Sequence, residues 1–183
     1  MANKLKCTPG QLQIPSRNDA IINCIFVEKE IIYGKDISLS RGSGSISTAI
    51  NFENCIMNAI PSAESIKKFM PNLTVLSIGS SKLSKITSED LMGFNCLRDL
   101  YIMKCEIDYL PGDLFKHTPN LEMISFYGNK IKYVDGCILE PLQNLKIFCL
   151  SKNVNIDVRY EKQRNNLTLA QFKNEMRTKC KPA

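Results

Sequence analysis

The chain of 183 residues offers few side chains that could catalyse a reaction or hold a metal ion. Its only histidine, His117, lies in the turn-like sequence FKHTPNL, and no nearby pattern pairs it with a nucleophile or a carboxylate. The glycine-rich sequence RGSGS at 41–45 lacks the lysine and the following helix of a phosphate-binding loop. No Cys or His pairs have the spacing of a zinc site. We therefore predict a protein with no enzymatic activity, catalytic residue, cofactor or metal.

Eight cysteines are the most unusual chemical feature of the sequence, because so many thiols are typical of proteins in an oxidising compartment. Two Asn-x-Thr triplets make Asn72 and Asn166 candidate glycosylation sites. The N-terminal MANKLKC has no apolar segment of the secretory type, and we interpret residues 1 and 2 as a replacement for a removed signal peptide. The prediction is an extracellular protein, and the alternative is a cytoplasmic one with all eight thiols reduced.

A repeated unit of the chain must position these residues. In LEMISFYGNKIKYV at 121–134, apolar residues are spaced by three and then by two, which suits neither a regular strand nor an amphipathic helix. LRDLYIMKCEIDYLP at 97–111 carries the same pattern 24 residues earlier, and related units occur at 50–61, 73–86 and 145–153. About five units, most of them 24 residues long, therefore cover residues 47–158.

Each unit has a turn position, which we name the slot, where a small side chain follows a short strand. The slot residues are Cys55, Ser81, Cys105, Asn129 and Asn153. A polar side chain there can satisfy backbone groups that would otherwise be buried without a hydrogen bond. One unit is too thin to bury its apolar side chains, so the units are expected to stack around a continuous core.

The pattern L-x-x-L-x-L-x-x-N/C-x-L with a period in the twenties resembles the leucine-rich-repeat signature, and LPGDLFKHTPNL at 110–121 is similar to units of the extracellular type. The resemblance implies an α/β fold, in which a single domain forms a short curved solenoid. It has a parallel concave sheet, an irregular or short-helical convex side and disulfide-supported caps. Residues 1–46 would form the N-terminal cap and first strands, and residues 159–183 a C-terminal capping helix.

The C-terminal region is similar to the caps of secreted insect leucine-rich-repeat proteins, which implies a role in innate immune recognition. Those caps commonly have a cysteine in the segment that reads NVNI at 153–156 here, and its absence makes Cys149 the predicted partner of Cys180. Cys7 with Cys24 is the predicted bridge of the N-terminal cap. Of the other four, Cys55 and Cys105 are expected to be buried thiols, and Cys96 and Cys137 to be bridge partners or free thiols.

The sequence TLAQFKNEMRTKC predicts a capping helix that begins at Thr168, with Gln171 completing a capping box. Its apolar stripe of Leu169, Phe172 and Met176 should cover the end of the core. Residues 151–183 contain eight Lys or Arg and three Asp or Glu, so this cap could attract an anionic glycan or an acidic surface. No motif for reading nucleic acid accompanies the charge, and no apolar run is long enough to span a membrane.

The outward residues of the predicted strands should form three columns across the repeats. The columns are Ala49, Val75, Asp99, Met123 and Ile147; Asn51, Ser77, Tyr101, Ser125 and Cys149; and Glu53, Gly79, Met103, Tyr127 and Ser151. Exposed Tyr and Met are typical of protein interfaces, although scattered apolar residues also occur on ordinary surfaces. We predict that the concave face binds a protein partner through Tyr101, Met103, Met123, Tyr127 and Ile147, with Asp99 and Ser125. The alternative function is a cytosolic scaffold or regulatory subunit, and the oligomeric state stays open.

Overall fold

The computed structural model describes residues 3–5, 7–13, 21–28, 31–32, 34–39, 48–164 and 166–179. The chain forms a parallel-sheet solenoid of about five turns with few helices, which confirms the predicted solenoid architecture. Within the described residues, two α-helices and a 3-10 helix at Ser88–Leu91 interrupt a series of short strands. The elements are β1 Asn3–Leu5, β2 Cys7–Gln13, β3 Ile21–Glu28, β4 Ile31–Ile32, β5 Ile37–Leu39, β6 Ala49–Glu53, β7 Ile56–Met57, α1 Ala63–Lys67, β8 Val75–Gly79, β9 Asp99–Met103, β10 Tyr109–Leu110, β11 Met123–Ser125, β12 Tyr133–Val134, β13 Ile147–Cys149, β14 Arg159–Glu161 and α2 Leu169–Lys179.

The main sheet has eight strands in the order β14-β13-β11-β9-β8-β6-β3-β2. Strands β3 to β13 in this sheet are parallel, and the antiparallel strands β2 and β14 form its two edges. From β8 to β13, each residue of a strand lies opposite the residue 24 positions later in the next strand. Val75 thus lies opposite Asp99, and Asp99 opposite Met123. The offset between β6 and β8 is slightly longer, with Ala49 opposite Val75. The predicted repeat register is therefore confirmed by the strand pairing.

The parallel register starts earlier than the first predicted unit at residue 47. Strand β3 pairs with β6, with Ile25 opposite Ile50 and Val27 opposite Phe52. On the other side of the coil β4 pairs with β7. The sequence predicted first strands within residues 1–46 but no repeat unit there, because Glu30 stands 25 positions before slot residue Cys55. A large acidic residue does not fit the slot pattern.

The opposite side of the solenoid is built from short pieces. Strands β10 and β12 form a two-stranded parallel sheet, as do β4 with β7 and β1 with β5. Helix α1 begins after Ser62, whose hydroxyl accepts a hydrogen bond from the Ser65 amide at 3.2 Å. Ile66 of α1 and Leu91 of the 3-10 helix are fully buried in the core. The expected short-helical side is thus present, with small sheets that the sequence did not predict.

The C-terminal cap combines a strand with the predicted helix. The Thr168 amide and hydroxyl donate to the Gln171 side chain at 2.8 and 2.9 Å, and the Gln171 amide donates to the Thr168 hydroxyl, which confirms the capping box. Phe172 and Met176 are buried in the core, as predicted. Strand β14 was not predicted, and it pairs with β13 so that Tyr160 stacks on Phe172 with ring centroids 4.6 Å apart.

The slot residues connect neighbouring coils through hydrogen bonds to the backbone. Asn129 donates to the carbonyls of Ile102 at 2.7 Å and Phe126 at 3.0 Å, and its side-chain oxygen accepts from the Ile107 amide at 3.3 Å. Asn153 makes the equivalent three bonds one coil later. The Cys105 thiol lies 3.4 Å from the Met103 carbonyl and acts as a weaker donor. The predicted role of the slot is confirmed.

A left-handed backbone residue precedes each of these slots. In the first four of these coils the amide of this residue donates to a carbonyl in the next coil, as Lys104 does to Tyr127 at 2.9 Å. This conformation costs a residue with a side chain roughly 1 kcal/mol, and only glycine adopts it freely. The chain therefore turns out of the sheet at the same position in each repeat. The residues with positive φ at this position are Asn54, Ser80, Lys104, Gly128 and Lys152.

Replacing Asn129 with alanine should destabilise the fold by about 2–4 kcal/mol, because the Ile102 carbonyl and the Ile107 amide lose their hydrogen bonds to Asn129, while the Phe126 carbonyl keeps its bond from Asn153. The matched control is Asn144→Ala, since Asn144 is exposed and should change stability by less than about 0.5 kcal/mol. Urea denaturation of both variants measures the difference. Equal stability of the two variants would contradict the role of the slot.

Candidate functional site

The predicted binding residues lie together on one face of the main sheet, opposite the core, which we name the outer face. Strand pairing places Met123 beside Asp99 and Ile147, and Ser125 beside Tyr101 and Cys149. The Tyr101 hydroxyl lies 3.9 Å from the Met123 sulfur. Tyr101 and Met123 form an apolar cluster with Ala49 and Val75 that is separate from the main core, and Met103 and Ile147 pack against it. Strand pairing thus brings Asp99, Met123 and Ile147 together, and the binding role of the predicted residues stays a prediction.

The expected exposure of four of these residues is wrong. Tyr101 is 9% exposed, Met123 4%, Ser125 8% and Asp99 not at all. A parallel ladder places side chains on neighbouring strands about 5 Å apart, so bulky residues in adjacent columns cover one another. Tyr101 and Met123 are a buried floor rather than an accessible contact surface.

The accessible part of the outer face is a rim of Met103, Tyr127 and Ile147, each of them half-buried. Met103 and Ile147 pack on the floor and keep part of their side chains in solvent. Both α-helices bury their apolar residues in the main core, so the outer-face cluster consists of sheet residues among the part of the chain that is described. The rim and floor together form a layered apolar surface.

Two charged residues accompany the rim, and the sequence prediction included neither as a binding residue. The Lys152 ammonium lies 5.4 Å from the centroid of the Tyr127 ring, and hydrogen bonding to Tyr127 raises the pKa of Lys152. Glu53 lies at the other end of the third column, where its carboxylate fills the space that a side chain at Gly79 would need. The position of Lys152 beside the rim could have been predicted, because it follows the end of the last repeat strand by three residues. The position of Glu53 depends on its contact with Gly79, which no sequence pattern indicates.

A line of opposite charges crosses the strands just before they begin. The carboxylate of Glu122 contacts Arg98 at 3.3 Å and Lys146 at 2.6 Å, and all three residues are 24 positions apart. Exposed ion pairs of this kind contribute little to stability individually, but here they match the repeat register. They lie at the opposite end of the strands from Lys152.

Five of the eight cysteines have described side chains, and none of these five forms a disulfide with another described cysteine. Cys55 and Cys105 are buried, as predicted, and Cys149 is buried as well. Cys180, the predicted partner of Cys149, lies outside the described residues, so the Cys149–Cys180 bridge stays a prediction. The remaining two described thiols, Cys96 and Cys137, are exposed.

The predicted Cys7–Cys24 bridge involves strands whose backbone alone is described. Cys7 pairs opposite Val27, and Cys24 pairs opposite Gly10, so the ladder does not align the two cysteines. Their side chains lie outside the described set, and the bridge stays a prediction. Asn72 and Asn166 are both exposed, so a glycan could reach either one, and glycosylation also stays a prediction.

Much of the basic charge of the C-terminal cap is paired within the protein. Arg177 contacts Glu140 at 2.6 Å, and Arg159 and Arg164 both contact Glu161. Lys179 lies 3.4 Å from Glu175. The proposed attraction of an anionic glycan or acidic surface would therefore depend on fewer free cations than the sequence indicates, and it stays a prediction.

His117 is half-buried, and within the described ranges it makes no hydrogen bond to a serine, cysteine or carboxylate. The described part of the chain also contains no cluster of three His, Cys, Asp or Glu side chains suited to a metal ion. No helix among the described residues is long and apolar enough to cross a membrane.

No protein-family model matches this chain, and no curated protein matches its sequence. Any functional conclusion therefore depends on the geometry of the outer face and on the chemistry of its residues.

Tyr101→Ala should destabilise the protein by about 3 kcal/mol, because it removes a buried aromatic ring from the floor. Tyr133→Ala is the control, since Tyr133 is 58% exposed and should cost less than about 1 kcal/mol. Thermal or urea unfolding of each variant gives the comparison. An unchanged free energy of unfolding for Tyr101→Ala would contradict the burial of this ring in the floor.

Burial raises the pKa of the Cys105 thiol to about 11. Iodoacetamide at pH 8 should therefore modify Cys96 and Cys137 in the native protein and spare Cys105. The unfolded chain loses this proton near pH 9.0 and the folded chain only near 11, so the contribution of Cys105 to stability is complete below pH 9 and decreases above it. Peptide mass spectrometry measures the labelling, and equal labelling of Cys105 and Cys96 would contradict the predicted burial.

Proposed function

We propose that the chain is a leucine-rich-repeat solenoid that binds a protein partner through its outer face and catalyses no reaction. The observation that carries this proposal is the apolar rim of Met103, Tyr127 and Ile147 above the buried floor of Tyr101 and Met123. Tyr and Met are favoured at protein interfaces because they bury a large area with adaptable contacts. The rim is partly in solvent, so it can gain burial when a partner binds.

The leucine-rich-repeat assignment is supported by two features of the coils. Neighbouring sheet strands are offset by 24 residues over most of the repeats. Asn129 and Asn153 each make three hydrogen bonds to the backbone from the position that this repeat class reserves for Asn or Cys. A fixed offset between strands and a hydrogen-bonded slot residue are both expected of stacked leucine-rich-repeat units.

The layered arrangement favours binding because the side chains are held before a partner arrives. Met103 and Ile147 pack on the floor, and Lys152 contacts the Tyr127 ring. A side chain that is already ordered loses less entropy in a complex. Aromatic residues at the centre of such a surface usually contribute most of the binding free energy.

The charges beside the rim indicate how a partner would be oriented. Lys152 lies beside Tyr127, and Glu53 lies at the other end of the same column. Opposite charges at the two ends of an apolar surface set the direction in which a partner docks. We infer a partner surface with an apolar centre, an acidic group toward Lys152 and a basic group toward Glu53.

The proposed setting is outside the cell, in innate immune recognition, which is what the resemblance to secreted insect leucine-rich-repeat proteins implies. The accessible positions of Asn72 and Asn166 are compatible with glycans on a secreted protein. The alternative is a cytosolic scaffold or regulatory subunit. In that setting a reducing compartment would keep the thiols reduced.

The double variant Met103→Ala/Tyr127→Ala should weaken capture of the partner at least about tenfold, because two interface side chains are lost. The matched control is Met92→Ala/Tyr133→Ala, which removes a methionine and a tyrosine that are each 58% exposed elsewhere on the surface. Immobilised wild-type protein and both variants are incubated with extracellular fluid and, separately, with cytosol from the source organism. Quantitative mass spectrometry then identifies proteins that the wild type and the control variant retain and that the Met103→Ala/Tyr127→Ala variant retains in smaller amounts.

A protein that is retained equally by all three baits would contradict binding through the rim. A rim-dependent partner found in the cytosol alone would favour the scaffold alternative over the extracellular one. The affinity of the identified partner is then measured with the purified proteins at two salt concentrations, since the contribution of Lys152 should decrease as salt increases.

A further inference from the structure

A groove lies beside the start of the capping helix α2, and we name it the cap groove. Its volume of about 700 Å³ is within the range of roughly 300–1,000 Å³ that is typical of small-molecule sites. The lining residues that determine its chemistry are Leu145, Tyr160, Lys162, Leu167, Leu169 and Lys173. The floor and rim residues of the outer face are not part of this lining, so the cap groove is separate from the proposed protein-binding surface.

Tyr160 is a fully buried residue of the lining, and its hydroxyl has no hydrogen-bond partner among the described residues. Its ring stacks on Phe172, with the two ring planes 12° apart. A buried hydroxyl without a partner costs free energy, so an acceptor oxygen supplied from the groove would remove this penalty. Burial raises the pKa of Tyr160, which keeps the hydroxyl protonated as a donor.

The N-terminus of α2 supplies further donors to the same groove. The Thr168 hydroxyl accepts a hydrogen bond from the Gln171 amide at 3.3 Å. The amides of Leu169 and Ala170, in the first two positions of the helix, have no acceptor within the helix, and both residues line the groove. Free amides at the positive end of a helix dipole favour an anion.

Two lysines make the cap groove positive. Lys162 follows β14 directly, is exposed, and forms no ion pair within the described part of the chain. Lys173 lies one helical turn after Leu169, on the same side of α2. Its ammonium donates to the Glu140 carbonyl at 3.2 Å and keeps two further donors. Because none of the described lining residues is acidic, an anion in the groove would meet donors and cations alone.

The remaining lining is largely apolar. Leu145 is buried, and Leu167 and Leu169 are half-buried, so they can cover an apolar group that enters the groove. A bare inorganic anion would leave these side chains without a partner. A molecule with an anionic head and an apolar chain uses both parts of the lining.

We propose that the cap groove binds a small amphiphile with a carboxylate or phosphate head. The oxygens of the head accept hydrogen bonds from the Tyr160 hydroxyl, the Lys162 ammonium and the free amides at the start of α2. The apolar chain lies against Leu145 and Leu169. Such a ligand gives the C-terminal cap a binding function that does not depend on the outer face.

The test is titration of the full chain with octanoate, octyl phosphate and octanol below their micelle concentrations, measured by isothermal titration calorimetry. Protein made in bacteria is used, so that no glycan at Asn166 fills the groove. One molecule of an anionic amphiphile should bind per chain, at least about tenfold tighter than octanol, because the uncharged head makes no charge-assisted hydrogen bond. The anion that binds more tightly identifies the head as carboxylate or phosphate. In NMR spectra, the amides of Leu169 and Ala170 should shift on binding.

Two variants with matched controls locate the site. Tyr160→Phe keeps the ring on Phe172 and removes only the hydroxyl, so it should weaken anion binding at least about fivefold without lowering the melting temperature. Tyr133→Phe changes an exposed tyrosine elsewhere and should have no effect. Lys162→Gln should also weaken binding at least about fivefold. Its control is Lys132→Gln, because Lys132 is likewise exposed and forms no ion pair among the described residues.

Three results would overturn the proposal. The first is that neither octanoate nor octyl phosphate binds, and the second is that octanol binds as tightly as the anions. The third is that Tyr160→Phe binds the anion as tightly as the wild type, because the hydroxyl would then not face the ligand. Loss of partner capture by the outer face would not change any of these measurements, so the two sites are tested independently.

Discussion

The need to satisfy buried backbone groups at the end of every sheet strand is the constraint on which this fold depends. After each strand the chain turns into the interior, where water cannot reach its carbonyls and amides. Asn129 and Asn153 solve this by making three hydrogen bonds each, to their own coil and to the coil before it. A single side chain thereby closes a turn and fixes the register of two coils, so stacking and local structure are specified by the same residue.

The fixed register determines which side chains meet on the outer face. Because strands repeat with an offset of 24 residues, Asp99, Met123 and Ile147 are neighbours in one column, and Tyr101 and Ser125 are neighbours in the next. The apolar floor forms where two bulky residues from adjacent strands cover each other. The rim residues Met103, Tyr127 and Ile147 belong to the same columns and keep part of their surface in solvent.

Local and periodic features of the fold could be predicted from the sequence, and features that depend on contacts between coils could not. The repeat register, the slot residues and the Thr168–Gln171 capping box each have a short-range pattern. No repeat unit was assigned around β3 because Glu30, 25 positions before Cys55, does not fit the slot pattern, and β14 was missed because a strand of three residues carries no alternation. The proximity of the site residues followed from the period, but the burial of Tyr101 and Met123 depends on side chains from neighbouring strands.

Amide hydrogen exchange followed by NMR tests the slot constraint most directly. The amides of Ile107 and Ile131 lie outside any strand, and their partners are the side-chain oxygens of Asn129 and Asn153. If the slots hold the coils together, these two amides should exchange as slowly as the amide of Ile124 in the centre of the sheet, through global unfolding alone. Exchange at the rate of an exposed turn would show that the coils are held by side-chain packing and that the slot hydrogen bonds do not set the register.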